Sequence, residues 1–195
     1  MAKHRIENAT KKTDIRIKKK RWISLVAPKD FNEVEIGETL CERPEQAVGR
    51  TIIVNLSSLT NDPKKQNVQV RLKIISVQND RALTELVGYE LSGAYVKKVI
   101  RRTGGKMEDS FIVCTKDNAQ FRIKPLLMTR HKIYKSTLND IRLKTREHIT
   151  SEFKNMDTPT ALAAVIQNKL QRDIKDSVKK IYPVSLSEIR KLERQ

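Results

Sequence analysis

Apolar residues in this chain repeat every second position in its first two thirds and every fourth position towards its end, and this change of period constrains the fold most. Val68, Val70, Leu72 and Ile74 alternate with Gln69, Arg71 and Lys73, the pattern of a strand with one buried face. The parity slips at Ile74-Ile75, which predicts a bulge. Leu162, Ile166, Leu170, Ile174 and Val178 instead recur every four residues until Pro183, as on a buried helix face. Strands are predicted at 22–27 and around 34–42, 50–56, 67–78, 81–88, 108–116 and 119–128. Asn79-Asp80 and Asp117-Asn118 supply tight turns, because Asp and Asn tolerate positive φ. Helices are predicted at 94–102, stopped by Gly104-Gly105; from Ser136 to near Phe153; and from Thr158 as N-cap with Pro159 at the first helical position. Strands first and helices last predict an α+β fold, an antiparallel β-barrel-like core with flanking helices. The expected organisation is a disordered basic arm over 1–17 and a single α+β domain over 18–195, strand-rich over 22–129 and helix-rich over 136–195.

Charge is distributed as unevenly as hydrophobicity. Of a formal net charge of +17, residues 1–21 hold nine Lys/Arg against two Asp/Glu, a net of +7. Residues 22–94 hold eight against ten, a net of −2; residues 95–148 hold fourteen against five, a net of +9; residues 149–195 hold nine against six, a net of +3. Two basic tracts flanking a near-neutral stretch point to a partner with dense, repeated negative charge, which is the chemistry of nucleic acid.

Other function classes find little support. No apolar run approaches the ~18 residues of a membrane span, and the N-terminus leads into no apolar signal region. Cys41 and Cys114 are too few for a disulfide framework, so a reducing, cytoplasmic setting is expected, and Cys114 reads as a buried inert thiol. His4, His131 and His148 never approach a cysteine at ligand spacing, so no metal and no cofactor are expected. Glu33, Glu35, Glu38, Glu42 and Glu45 read as a solvated strand face or a contact to a basic neighbouring protein rather than a catalytic pair. There is no GxGxxG, GxxxxGK[ST] or GxxG loop. The chain is not expected to be an enzyme.

The cations carry the remaining signal. Lys18, Lys19, Lys20 and Arg21 run directly into Trp22. Trp22 opens the first strand, which predicts a core ring, yet beside four cations an indole can also stack on an unpaired base, worth ~1–3 kcal/mol. On a helical wheel Tyr95, Val96, Val99 and Ile100 fill one arc, and Lys97, Lys98, Arg101 and Arg102 fill the opposite one without any acid. Arg122, Lys124, Arg130 and Lys132 extend this basic region, with His131 facing RNA or solvent. No helix-turn-helix, basic zipper or finger offers a major-groove reader, so DNA is not expected. A tail and dispersed basic patches suit a folded RNA bound by shape and backbone. A free RNA chaperone or translation regulator and an RNA-processing enzyme are the competing readings.

Ordered fragments give the chain a family likeness. They are Lys19-Lys20-Arg21-Trp22, Ala27-Pro28, Phe31, Ile36-Gly37-Glu38-Thr39, Gly49-Arg50 and Leu56-Ser57-Ser58-Leu59-Thr60-Asn61-Asp62. Gly88-Tyr89-Glu90-Leu91, Thr115-Lys116-Asp117, Arg122-Ile123-Lys124-Pro125, Ile141-Arg142, Ile181-Tyr182-Pro183 and Glu188-Ile189-Arg190-Lys191 follow. In this order and spacing the chain resembles the archaeal and eukaryotic small-subunit ribosomal protein family eS-one, also called S-three-a, over about residues 17–191. The likeness breaks at Ser92-Gly93-Ala94, where the family carries an arginine, and at Asn118, where it carries glycine. The chain stops without the longer C-terminal extension of eukaryotic members, so it looks archaeal in type. The resemblance implies a structural protein on the platform of the small subunit, near the mRNA exit. It implies small-subunit rRNA and neighbouring ribosomal proteins as partners, with mRNA near the exit as a further one, and no membrane, DNA or homo-oligomer. The residues expected to contact rRNA are Lys18, Lys19, Lys20, Arg21, Trp22, Lys97, Lys98, Arg101, Arg102, Arg122, Lys124, Arg130 and Lys132.

Overall fold

A computed structural model describes residues 19–100 and 102–195. The arm over 1–17, Lys18 and Arg101 therefore lie outside the described residues.

The sheet starts with β1 (Arg21–Val26), β2 (Glu35–Cys41), β3 (Thr51–Asn55), β4 (Val68–Gln78) and β5 (Arg81–Leu91). A short helix, α1 (Leu56–Thr60), follows β3. In β4 the alternating side chains bury Val70, Leu72 and Ile74, and the register slips between Ile74 and Ser76, so Ile75 is the bulged residue. The β4–β5 hairpin turns at Asn79 and Asp80, which take φ of 48° and 60°. After β5 come α2 (Gly93–Val99), β6 (Lys106–Glu108), β7 (Phe111–Cys114) and β8 (Gln120–Thr129). Then follow α3 (Lys135–Asn155), α4 (Thr158–Ile166), α5 (Lys169–Val178) and a last strand, β9 (Val184–Arg194).

Among the described residues the nine strands form one sheet, which is not closed, so the α+β class holds and the barrel likeness is loose. Two strands branch it. β5 pairs with β4 along one edge and divides its other edge between β1, in parallel at Arg81–Leu83, and β9, antiparallel at Gly88–Glu90. β8 pairs with β9 along one edge and divides the other between β7 and β6. β9 is thus the strand that joins the two halves. Helix α3 packs on β6, β7 and α5, and α5 packs on β9. Phe121 of β8 and Phe153 of α3 meet at 6.4 Å between ring centres in the main core. A smaller core of Ile23, Leu25, Cys41, Ala47, Ile74 and Ala82 lies under the β1–β2 ribbon.

Four local expectations are corrected. The helix expected from 158 to Pro183 is two helices, because Asn168 adopts φ 59° between α4 and α5. Thr158 is the first residue of α4 rather than its cap. β9 occupies the end of the tract read as helix-rich. Cys114 is exposed, since β7 turns Val113 inward and its neighbours Ile112 and Cys114 outward.

Candidate nucleic-acid interface

Helix α2 begins where Ser92 Oγ accepts the Tyr95 N–H at 3.3 Å. It buries Val96 and leaves Lys97 and Lys98 exposed. It ends at Val99, so Arg102 stands on the following turn rather than on the helix face expected for it. Gly104 and Gly105 do not cap the helix. They run against the end of β8, where a Cβ on Gly104 would collide with the Thr129 carbonyl oxygen. Thr129 holds this turn. Its N–H donates to the Gly105 carbonyl at 2.9 Å; its buried hydroxyl accepts the Gly105 N–H at 2.9 Å and donates to the His131 carbonyl at 2.6 Å. The clamp brings Lys98, Thr103, Gly104 and Arg130 to one cleft of about 380 Å³, with Tyr95 and Ser185 on its walls. Exposed Lys132 follows on the same loop.

The other expected contacts lie elsewhere. At ~3.3 Å per residue, Arg122 stands ~25 Å back along β8 from Arg130. Among the described residues its guanidinium bonds Gln195, at 3.4 Å. Lys124 is half-buried in a second cleft with Glu108, Asp109 and Arg190. Lys19, Lys20 and Arg21 enter β1, which meets the start of β5, whereas α2 follows the end of β5, ~30 Å along that strand. Trp22 is 63 % exposed opposite Leu40, itself partly open at 37 %, on the β1–β2 ribbon. The core position expected for its ring is therefore wrong, and the indole face is open to a stacking partner.

Among the described residues, ion pairs hold a subset of the cations, none of them among the expected contacts. Arg71 and Lys191 bind Glu193 at 2.6 and 3.0 Å, Arg194 binds Glu85 at 2.9 Å, and Arg146 binds Asp109 at 2.9 Å. No ion pair with a described residue occupies Lys19, Lys20, Arg21, Lys97, Lys98, Arg102, Arg122, Lys124, Arg130 or Lys132. Among the described residues, these charges are not neutralised by an ion pair and are available to an outside anion.

The model of the Ribosomal S3Ae family matches residues 8–194. The chain belongs to this family. Its archaeal relatives include the small ribosomal subunit protein eS1 of Halorubrum lacusprofundi, 36% identical over 173 residues, covering 89% of this chain and 80% of the relative. The protein of that name from Saccharolobus islandicus is 36% identical over 174 residues, covering 89% and 84%. That of Methanothrix thermoacetophila is 34% identical over 178 residues, covering 91% and 84%. Membership of the S3Ae family makes the chain a structural ribosomal component and not an enzyme, and bears out the likeness read from its sequence fragments.

For this S3Ae member, sequence reasoning missed two lysine pairs. Lys64 and Lys65 sit on the turn Pro63–Lys65 and border a cleft that shares Tyr95 with the Lys98–Arg130 cleft. Lys179 and Lys180 lie in the turn leading into Val184, which pairs with Thr129. The Pro63-Lys64-Lys65 run was visible, but five glutamates between 33 and 45 cancel it in any charge count taken over that stretch.

Proposed function

We infer that this protein is a structural constituent of the small ribosomal subunit that binds small-subunit rRNA through separate unpaired basic patches. Its place is on the platform near the mRNA exit, in the cytoplasmic ribosome, beside other ribosomal proteins. The absence of ion pairs, among the described residues, at ten of the expected contact cations carries this reading: none of these must break a salt bridge before a phosphate binds. Family membership supplies the ribosomal setting, and the names of the archaeal relatives supply the subunit. Trp22, exposed beside Lys20 and Arg21, adds a stacking surface at the start of β1.

Titrating purified protein against a small-subunit rRNA transcript at several salt concentrations tests this. Each phosphate contact contributes about 0.7–0.9 to the slope of log affinity against log salt. Replacing Lys97, Lys98, Arg102 and Arg130 by alanine flattens that slope and leaves the melting temperature unchanged; an unaltered slope clears this patch of RNA contact. In native lysates the protein sediments with small subunits at low salt, and a mostly free pool contradicts the assignment.

A further inference from the structure

The second cleft beside Tyr95 has a chemistry that phosphate binding alone does not explain. It is narrow, about 70 Å³, and bounded by Lys64, Lys65, Tyr95, Tyr89, Asn168 and Glu188. Its lip is fixed in place: Asp62 Oδ1 accepts the Lys64 N–H at 3.0 Å, Asn55 Nδ2 donates to the Gln66 carbonyl at 2.9 Å, and the Ser92 N–H donates to the Asn67 carbonyl at 2.8 Å. Inside, Glu188 on β9 is half-buried, and among the described residues it makes no ion pair, although Lys64 and Lys65 line the same cleft. Its burial pushes the carboxyl above its ordinary range. The Tyr89 hydroxyl is buried beside the Gln171 side chain, whose oxygen is unmatched like it, and lies in the field of the Glu188 carboxylate and the Tyr95 phenol. Buried polar groups left unmatched in this way are costly unless a ligand completes them.

We propose that this cleft reads the Watson–Crick edge of a single unstacked guanine in the bound RNA. This rests on the rRNA-binding reading and gives that surface a base-specific element. The guanine edge carries N1–H and an N2 amino group side by side, two donors spaced for the two oxygens of one carboxylate, and its O6 accepts the Tyr89 hydroxyl. Adenine and cytosine each place a ring-nitrogen acceptor beside their exocyclic donor, which repels Glu188. Uracil offers one donor between two carbonyls. Tyr95 supplies an aromatic wall, and a slot of this size takes the edge of a base while its sugar and phosphates stay outside along Lys64 and Lys65. A bare phosphate is repelled by Glu188, and a metal ion or a basic side chain by the two lysines.

Fluorescence anisotropy on the full chain with labelled uridine hexamers carrying one central G, A, C, U or inosine tests the assignment. The G hexamer binds about tenfold tighter than the A, C and U hexamers, as one good bidentate contact provides, and inosine, which lacks the N2 amino group, falls between. E188Q erases most of this preference, bringing the G hexamer to within about twofold of the others, and does not weaken the U hexamer, from which it removes a repulsive charge. Y89F, which removes only the hydroxyl, lowers it severalfold. Substituting both Lys64 and Lys65 by alanine weakens every hexamer alike. Equal affinity for all five hexamers, or a G preference that survives E188Q, overturns the cleft assignment. So does failure of every hexamer to bind, and the rRNA titration then decides separately whether the wider RNA-binding reading stands.

Discussion

Replacing Thr129 by valine keeps the shape of the side chain and deletes the hydroxyl that accepts the Gly105 N–H and donates to the His131 carbonyl. Burial makes that loss expensive, about 1–3 kcal/mol, so T129V lowers the thermal midpoint and loosens the turn carrying Thr103 and Gly104 against Arg130. Glu188 behaves in the opposite way. A carboxyl whose folded pKa lies above its unfolded value of ~4.3 destabilises the fold wherever it is ionised. That penalty is full above the folded pKa and vanishes below the unfolded one. E188Q therefore raises the melting temperature at pH 7, and the gain disappears as the pH is lowered towards 4. Trp22 shows what was legible at this scale. Parity in Trp22-Ile23-Ser24-Leu25-Val26 already places the indole on the face of Ser24, away from buried Ile23 and Leu25. Its place at the opening of the first strand suggested a core position and parity denied it. The orphaned Tyr89 hydroxyl was not legible, because it depends on β5, α2 and β9 meeting.

At the level of single elements, the start of α4 is capped from outside. Asp157 makes no side-chain cap bond; instead the Thr158 N–H donates at 2.8 Å to Asp117, from the turn between β7 and β8. D117A removes an N-terminal cap and costs about 0.5–2 kcal/mol, measured by denaturant unfolding, with no change in RNA affinity. The sequence signal at Thr158-Pro159 located this helix start to within a residue but could not say which aspartate serves it. β4 and the first half of β8 were readable because alternation survives in them, whereas the single strand predicted over 108–116 is two, β6 and β7. β9 was not readable, for a definite reason. Its buried residues Ile189 and Leu192 are three apart, a helical spacing, because Lys124 pairs with Lys191 while Pro125 pairs with Ile189, leaving Arg190 as an extra residue. Pro125 has no N–H to give the ladder, which makes its position suited to that irregularity. The break at Asn168 was hidden likewise, since the four-residue apolar repeat runs through it unbroken.

Across the whole molecule, the cations at the start of β1 and those beside Thr129 occupy separate ends, so their effects on binding are independent. Alanine at Lys19, Lys20 and Arg21 and alanine at Lys98 and Arg130 reduce the rRNA salt slope by amounts that add in the combined variant. A shortfall from additivity means the two ends engage one another. Net charge in sequence windows anticipated both patches, but only the folded chain distinguishes cations neutralised by Glu85, Asp109 and Glu193 from those left bare. β9 also sets the order in which the molecule is made. While residues 184–194 are still inside the ribosome that is synthesising them, β5 and β8 each present a naked backbone edge, and no earlier segment substitutes. Nascent chains stalled before that point are exposed to edge-to-edge association, and completion of the sheet is a long-range, comparatively slow event that waits for β9 to emerge.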